Sequence, residues 1–136
     1  MEDIQELKDR YYQEDNFPNR LGVELEELAP GYSRVSLQVE EGMTNFHGIT
    51  HGGALFTLAD TAFGLASNSR GTAVALQMSA NFLAPSGPGE KLTATCREEH
   101  LTRSTGIYSI EVEKGEGKEE REPVALLRGV VYRKKK

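Results

Sequence analysis

The run from His51 to Ser69, HGGALFTLADTAFGLASNS, constrains the fold more than any other stretch. It contains no Lys, Arg or Glu, and its only acid is Asp60. Ala54, Leu55, Leu58, Ala59, Ala62 and Ala66 recur at helical spacing. That periodicity predicts a helix of about five turns with one apolar face. The other side carries Phe56, Phe63 and Gly64 instead of solvated residues. A helix apolar nearly all round has to be covered, so the rest of the chain is expected to wrap it.

Asp60 is then the residue to explain. Aspartate is a poor helix-interior residue because it competes for backbone hydrogen bonds. A carboxylate taken out of water without partners costs several kcal/mol, or takes up a proton more readily instead. The expectation is a buried, working carboxylate; the plainer reading is a partly exposed acid on a groove-facing side. The helix start, Gly48-Ile49-Thr50-His51-Gly52-Gly53, adds a second feature. The first N–H groups of a helix lack intrahelical partners and carry partial positive charge. Glycines there let a ligand oxygen approach those donors, as stabilising a developing oxyanion requires. A tight turn feeding a helix needs glycine too. With Asn45 just upstream and Asp60 two turns on, the group reads as a constellation.

The length of 136 residues fits one domain, taken here as 1–136. No apolar run approaches a membrane span, and the charged start after Met1 is not a secretory signal. A lone Cys96 excludes an internal disulfide and a multi-cysteine zinc site. These features together lead to the expectation of a cytoplasmic protein with no membrane partner. A net charge of −5 argues against general nucleic-acid binding. The basic run 133–136, Arg133 onward, reads as a frayed, solubilising tail.

Residues 2–14 place Ile4, Leu7, Tyr11 and Tyr12 on one face of a short amphipathic helix. Asn16-Phe17-Pro18-Asn19 is expected to break it in a turn, so 1–18 forms an N-terminal helix and turn. From Leu21 the period becomes two: Leu21, Val23 and Leu25, then the turn Pro30-Gly31, then Val35, Leu37 and Val39. This predicts a hairpin with one wet face. After the long helix, Val74, Leu76, Met78, Ala80 and Phe82 alternate with Ala75, Gln77, Ser79 and Asn81. Leu92, Ala94 and Cys96 mark the next strand, and Tyr108, Ile110 and Val112 another. The last, 123–132, is apolar on both sides and is expected to be central. The order is α+β: a helix, two strands, a long helix and four strands. A curved antiparallel sheet of this size can wrap one helix but leaves part of it for a second subunit, so at least a homodimer is expected.

Asn45, His51-Gly52-Gly53 and Leu58-Ala59-Asp60-Thr61-Ala62 together resemble the hotdog-fold thioesterases, most closely the phenylacetate-pathway (PaaI-type) acyl-CoA thioesterases. The resemblance covers nearly the whole chain, including Asn81-Phe82-Leu83-Ala84-Pro85 at a strand end. It implies a hotdog fold, subunits joined sheet edge to sheet edge with sites at the interface, and commonly a homotetramer built as a dimer of dimers. Carried over by position, Asp60 would be the catalytic carboxylate, facing a thioester held by the neighbour's Asn45 loop and His-Gly-Gly turn. The Gly52 N–H, with Gly53, would polarise the carbonyl; Asn45 would orient water or substrate; His51 would hold the turn. Some relatives carry a hydroxyl residue on the strand after the helix, where this chain has Ala75, with Ser79 nearby.

The expected chemistry is hydrolysis of an acyl-CoA thioester, with Asp60 as general base or as nucleophile. It needs no cofactor and no metal. His47 and His51 are four apart, but the glycine between them and the missing third ligand argue against a metal pair. Arg103, before Ser104, is the best candidate for a CoA phosphate contact, ahead of Arg70 and Lys91; pairing of Arg103 with Glu98 or Glu99 is the competing reading. Phe56 and Phe63 are candidate acyl-pocket residues, with plain core packing as the alternative. Two other functions fit the same fold: a non-catalytic acyl-CoA-binding protein, and a dehydratase or hydratase acting on the acyl chain.

Overall fold

The computed structural model describes residues 3–133. Helix α1 spans Ile4–Glu14 and opens on a capping box, in which the Asp3 carboxylate accepts the Glu6 N–H at 2.8 Å and Glu6 returns the bond at 3.0 Å. Leu7 and Tyr11 are its buried residues, and the Tyr11 hydroxyl donates to the Val23 carbonyl at 2.7 Å.

The expected break at Asn16–Asn19 is instead a second short helix, α2, Asn16–Leu21. Pro18 sits in its first turn, where the missing N–H has no helical partner to lose. Gly22, at φ 96°, ends it in the left-handed region that glycine adopts freely. Leu21 therefore belongs to a helix, and strand β1 begins later, at Glu24–Ala29. An irregularity between Leu25 and Glu27 shifts the alternation so that Leu28 points inward.

Strand β2 is Tyr32–Gln38, followed by a single 3-10 turn at Glu41–Met43 and then helix α3, Gly52–Asn68. Strands β3 (Ala73–Phe82), β4 (Lys91–Leu101), β5 (Thr105–Lys114) and β6 (Glu122–Arg133) complete the chain. All six strands form one antiparallel sheet in the order β1-β2-β4-β5-β6-β3. Helix α3 contacts every strand, which a flat sheet six strands wide would not allow. This is the α+β hotdog architecture, a curved sheet around one long helix.

Leu58, Ala59, Ala62 and Ala66 are fully buried against Val35, Ala94, Cys96, Tyr108, Ile110 and Val112. Alanines on this face let the helix sit close to the sheet. Phe63 lies on Gly129 of β6, where a Cβ would come within 2.5 Å of the ring, and meets Tyr108 edge-on at 5.8 Å. The Ser33 hydroxyl donates to the Ala62 carbonyl at 2.6 Å, fixing the helix against β2.

As expected, β6 is interior, paired with β5 on one side and β3 on the other. β3 is an edge strand. A register shift between Ala75 and Gln77 breaks its alternation, and Val74 (58% exposed), Leu76 (61%) and Phe82 (55%) remain open to solvent. Arg133 is not part of a frayed tail: its guanidinium donates to the Ser67 and Gly71 carbonyls and to the Tyr108 hydroxyl. The rest of the basic run, 134–136, lies outside the described residues. No helix among the described residues is long and apolar enough to cross a membrane.

Candidate functional site

The sheet covers one side of α3 only. Gly53, Phe56 and Asp60 are exposed, and Thr57 and Gly64 half-exposed, along a stripe at helical spacing. Two expectations are corrected here. The helix is not wrapped all round, and Asp60 is exposed in the single chain instead of buried. The sheet curls around the alanine face and stops at β3 on one flank, leaving the phenylalanine and aspartate side uncovered.

Asp60 sits in a cleft of about 470 Å³, with Asp15, Phe17, Phe56, Thr57, Thr61 and Ala75 among its walls. The rim is open, but the walls screen one side of the carboxyl. That desolvation, and then the charge of Asp15, push its proton affinity above the ordinary aspartate value. Asp15 is itself shifted upward by desolvation.

A second cleft, of about 540 Å³, opens at the helix start, between Asn45, Thr50, Gly52 and Leu55 on one side and Phe82 and Pro85 on the other. Asn45 shapes the loop before it. Its Oδ1 accepts the His47 N–H at 2.9 Å and the Ile49 N–H at 3.4 Å, and Gly48 turns the chain at φ 80°. This is an Asx-type turn. The Asn45 Nδ2 makes no hydrogen bond among the described residues. Thr50 is fastened to Ser86 by a backbone bond of 2.8 Å and a hydroxyl bond of 2.7 Å, and the His51 N–H donates to the Met43 carbonyl at 2.7 Å.

His51 is the N-cap of α3, and its Nδ1 accepts the Gly53 N–H at 2.8 Å. The Gly53 amide is therefore engaged, contrary to its expected place among the carbonyl-polarising donors. The Gly52 N–H has no hydrogen-bond partner among the described residues, and Gly52 lines the cleft. Gly52 and Asp60 are eight residues apart on one helix, about 12 Å along its axis. A single chain therefore does not bring them together.

Of the other candidates, Phe56 lines the Asp60 cleft and is 40% exposed. Phe63 also borders the Asp60 cleft, but it is 1% exposed and packed in the core, where Gly129 leaves room for its ring. Arg103 and Ser104 lie in the β4–β5 turn and line neither cleft. Glu98 is held by Arg70 at 3.0 Å and Glu99 by Arg128, so Arg103 pairs with neither; Lys91 is occupied by Glu26 at 3.1 Å. His47 is exposed, with its ring stacked on Phe46, and among the described residues no three His, Cys, Asp or Glu gather into a metal-binding group.

Asp15, Phe17, Thr57 and Thr61 were not among the candidates. The threonines repeat at i, i+4 around Asp60, a pattern visible in the sequence. Their hydroxyls donate back to the Gly53 and Thr57 carbonyls, leaving oxygen lone pairs near the cleft. Asp15 and Phe17 carry no signal in the sequence, because Phe17 lies in the expected turn Asn16–Asn19 and Asp15 just before it.

Comparison with known proteins places these features in context. The thioesterase superfamily model matches residues 47–121, from the Asn45 loop through β5. The acyl-coenzyme A thioesterase PaaI of Escherichia coli is 39% identical over 123 residues, covering 90% of this chain and 85% of that protein. The structure of the Escherichia coli PaaI protein superposes with a TM-score of 0.90 at 36% identity, over 97% of this chain and 94% of that one. The Streptococcus mutans protein smu.793, solved bound to acetyl CoA, matches with a TM-score of 0.75 at 30% identity, over 83% of this chain and 92% of its own. With its glycine-started helix inside a six-stranded antiparallel sheet, this chain belongs to the thioesterase superfamily.

Proposed function

We propose that this protein hydrolyses acyl-CoA thioesters at sites shared between two subunits. The observation that carries the reading is the placement of half-exposed Gly52 at the start of α3 and of Asp60 on its uncovered stripe, with Phe56 midway between them in sequence. A two-fold axis passing near Phe56 would run two α3 helices antiparallel and set Gly52 of each against Asp60 of the other. Such isologous pairing, where residue i meets j and j meets i, is the commonest way soluble chains associate. The exposed apolar edge of β3 flanks the same stripe and would pair with its copy, extending the sheet across the dimer. Two such dimers would form the tetramer that the resemblance implies.

In that site the Gly52 N–H donates to the thioester carbonyl oxygen and gains strength as negative charge develops there. The loss of one such donor typically costs about 10² to 10³ in rate. Asp60 takes a proton from a water that attacks the carbonyl carbon, or attacks directly to give an anhydride that water then opens. Either way the C–S bond breaks, CoA leaves as its thiolate, and the acyl group departs as a carboxylate. The Asn45 Nδ2, without a hydrogen bond among the described residues, orients the water or the acyl oxygen. The relatives support the substrate class: one carries the name acyl-coenzyme A thioesterase, and another was solved with acetyl CoA. Arg103, unpaired by either neighbouring glutamate, remains the proposed CoA phosphate contact.

The test is a panel of short, long, branched and aromatic acyl-CoA esters read by thiol release, on the wild type and on Asp60→Asn. The wild type should release thiol, and the variant should lose at least about 10²-fold in kcat while still binding the ester. Tight ester binding without thiol release in the wild type would indicate a binding protein. Double-bond formation without thiol release would indicate a dehydratase.

A further inference from the structure

The N-terminal helices meet at an elbow, Asp15–Phe17–Pro18, which forms the wall of the Asp60 cleft opposite α3. The elbow is held from behind. The Asp15 N–H donates to the Tyr11 carbonyl at 3.1 Å, and the Asn19 side-chain amide donates to the Tyr11 and Asp15 carbonyls, both at 2.8 Å. Pro18 is buried beneath it. Its functional groups nevertheless face outward: Phe17 is 67% exposed, and the Asp15 carboxylate makes no hydrogen bond among the described residues.

The cleft therefore has two exposed aromatic rings, Phe17 from the elbow and Phe56 from α3, and two carboxylates, Asp15 and Asp60. Its remaining walls add no charge: β3 contributes Ala73 and Ala75, β6 contributes Val131, and α3 adds Thr57, Thr61 and Asn68. The nearest charged groups on α1, Arg10 and Glu14, line the adjoining cleft and pair with each other at 3.5 Å. No cation among the described residues lines the Asp60 cleft. Against the walls that one chain supplies, a negatively charged acyl group would lose water without meeting an opposite charge, and would face two like charges.

We propose that the elbow is the specificity wall of this site, with Phe17 holding an uncharged, apolar acyl group against Phe56 and Asp15 turning away acyl groups that carry a carboxylate. The proposal rests on the thioesterase reading and adds the class of acyl group. Asp15 acts through the field it sets in the cleft and touches no reacting atom; Phe17 acts through apolar contact with the far end of the acyl chain.

The test compares pentanoyl-CoA with glutaryl-CoA, esters of equal chain length that end in a methyl and a carboxylate. The wild type should favour the pentanoyl ester in kcat/KM. Asp15→Asn, nearly isosteric and with its backbone bonds intact, should narrow that preference by about 2- to 30-fold, the range for one charge about 8 Å away at an effective dielectric between about 80 and 20. Asp9→Asn makes the same charge change on an exposed part of α1 outside the cleft and should leave the ratio where it was. Phe17→Ala should raise KM for pentanoyl-CoA more than for acetyl-CoA, and Phe17→Leu should recover most of that loss. An unchanged ratio in Asp15→Asn, a wild type that prefers the glutaryl ester, or equal losses on both esters in Phe17→Ala would overturn the proposal. If the wild type hydrolyses neither ester, the thioesterase reading fails separately, and the ratio is read from dissociation constants by calorimetry. Equal ratios in wild type and Asp15→Asn, or no binding of either ester, would then overturn it.

Discussion

His51 Nδ1 accepts the Gly53 N–H at 2.8 Å, and this bond decides which amide at the start of α3 is left to act. The imidazole caps the helix and engages Gly53, while the Gly52 N–H has no partner among the described residues and Gly52 lines the cleft. His51→Ala removes the cap and should lower stability by about 0.5–2 kcal/mol in urea unfolding. His51→Asn, whose side-chain oxygen can cap in the same way, should restore most of the stability. Equal stability of His51→Ala and the wild type would contradict the capping role.

Asp60 holds its proton more tightly in the folded chain than an ordinary aspartate, through desolvation and the charge of Asp15. The sign follows from linkage. A carboxyl with a raised folded value favours folding at low pH, and that contribution is lost as pH rises through the folded value. Asp60→Asn should therefore match the wild type in Tm near pH 3 and exceed it increasingly toward pH 7. A Tm difference that does not change with pH would refute the assignment. The same shift should place the acidic limb of the wild-type rate profile above the ordinary aspartate range.

Gly129 gives the Phe63 ring its place in the core, because a Cβ there would lie 2.5 Å from the ring. Gly129→Ala should destabilise by about 1–3 kcal/mol, the usual cost of overpacking a filled core. Chemical unfolding measures it. A neutral result would mean that Phe63 is free to move aside.

The exposed edge of β3 is the expected seam between subunits. Leu76, 61% exposed there, contributes nothing to the core of its own chain. Leu76→Lys should leave the circular dichroism spectrum unchanged, shift sedimentation toward the monomer, and reduce thioester hydrolysis in proportion. A variant that is monomeric yet fully active would show that the site is complete within one chain.

Much of this was legible in the sequence, because periodicity reports burial directly. The α3 alanines, the Tyr108-Ile110-Val112 face of β5 and the apolar faces of β6 all follow from spacing alone. The failures have physical causes. Pro18 resembles a breaker in a string of letters but is tolerated in the first turn of a helix, so α2 is hidden, and with it the cleft wall made by Phe17, Pro18 and the preceding Asp15. Phe56 and Phe63 are seven residues apart and point nearly the same way on α3, and the space that Gly129 leaves opposite the second of them takes Phe63 into the core. Asp60 looked buried because its neighbours are apolar, whereas those neighbours leave an open stripe on the single chain. The pairing of His51 with Gly53 needs a ring orientation that spacing does not carry.

The most direct measurement of the shared site is complementation between two inactive variants. Asp60→Asn and Asn45→Ala are each expressed alone and then together, and thiol release is measured per subunit. If Asp60 of one subunit works with the Asn45 loop and Gly52 of the other, random pairing gives half hybrid dimers with one intact site apiece. Activity should then return to about a quarter of the wild type, although both parents are inactive. Co-expressed protein that forms hybrids yet stays as inactive as its parents would contradict the account.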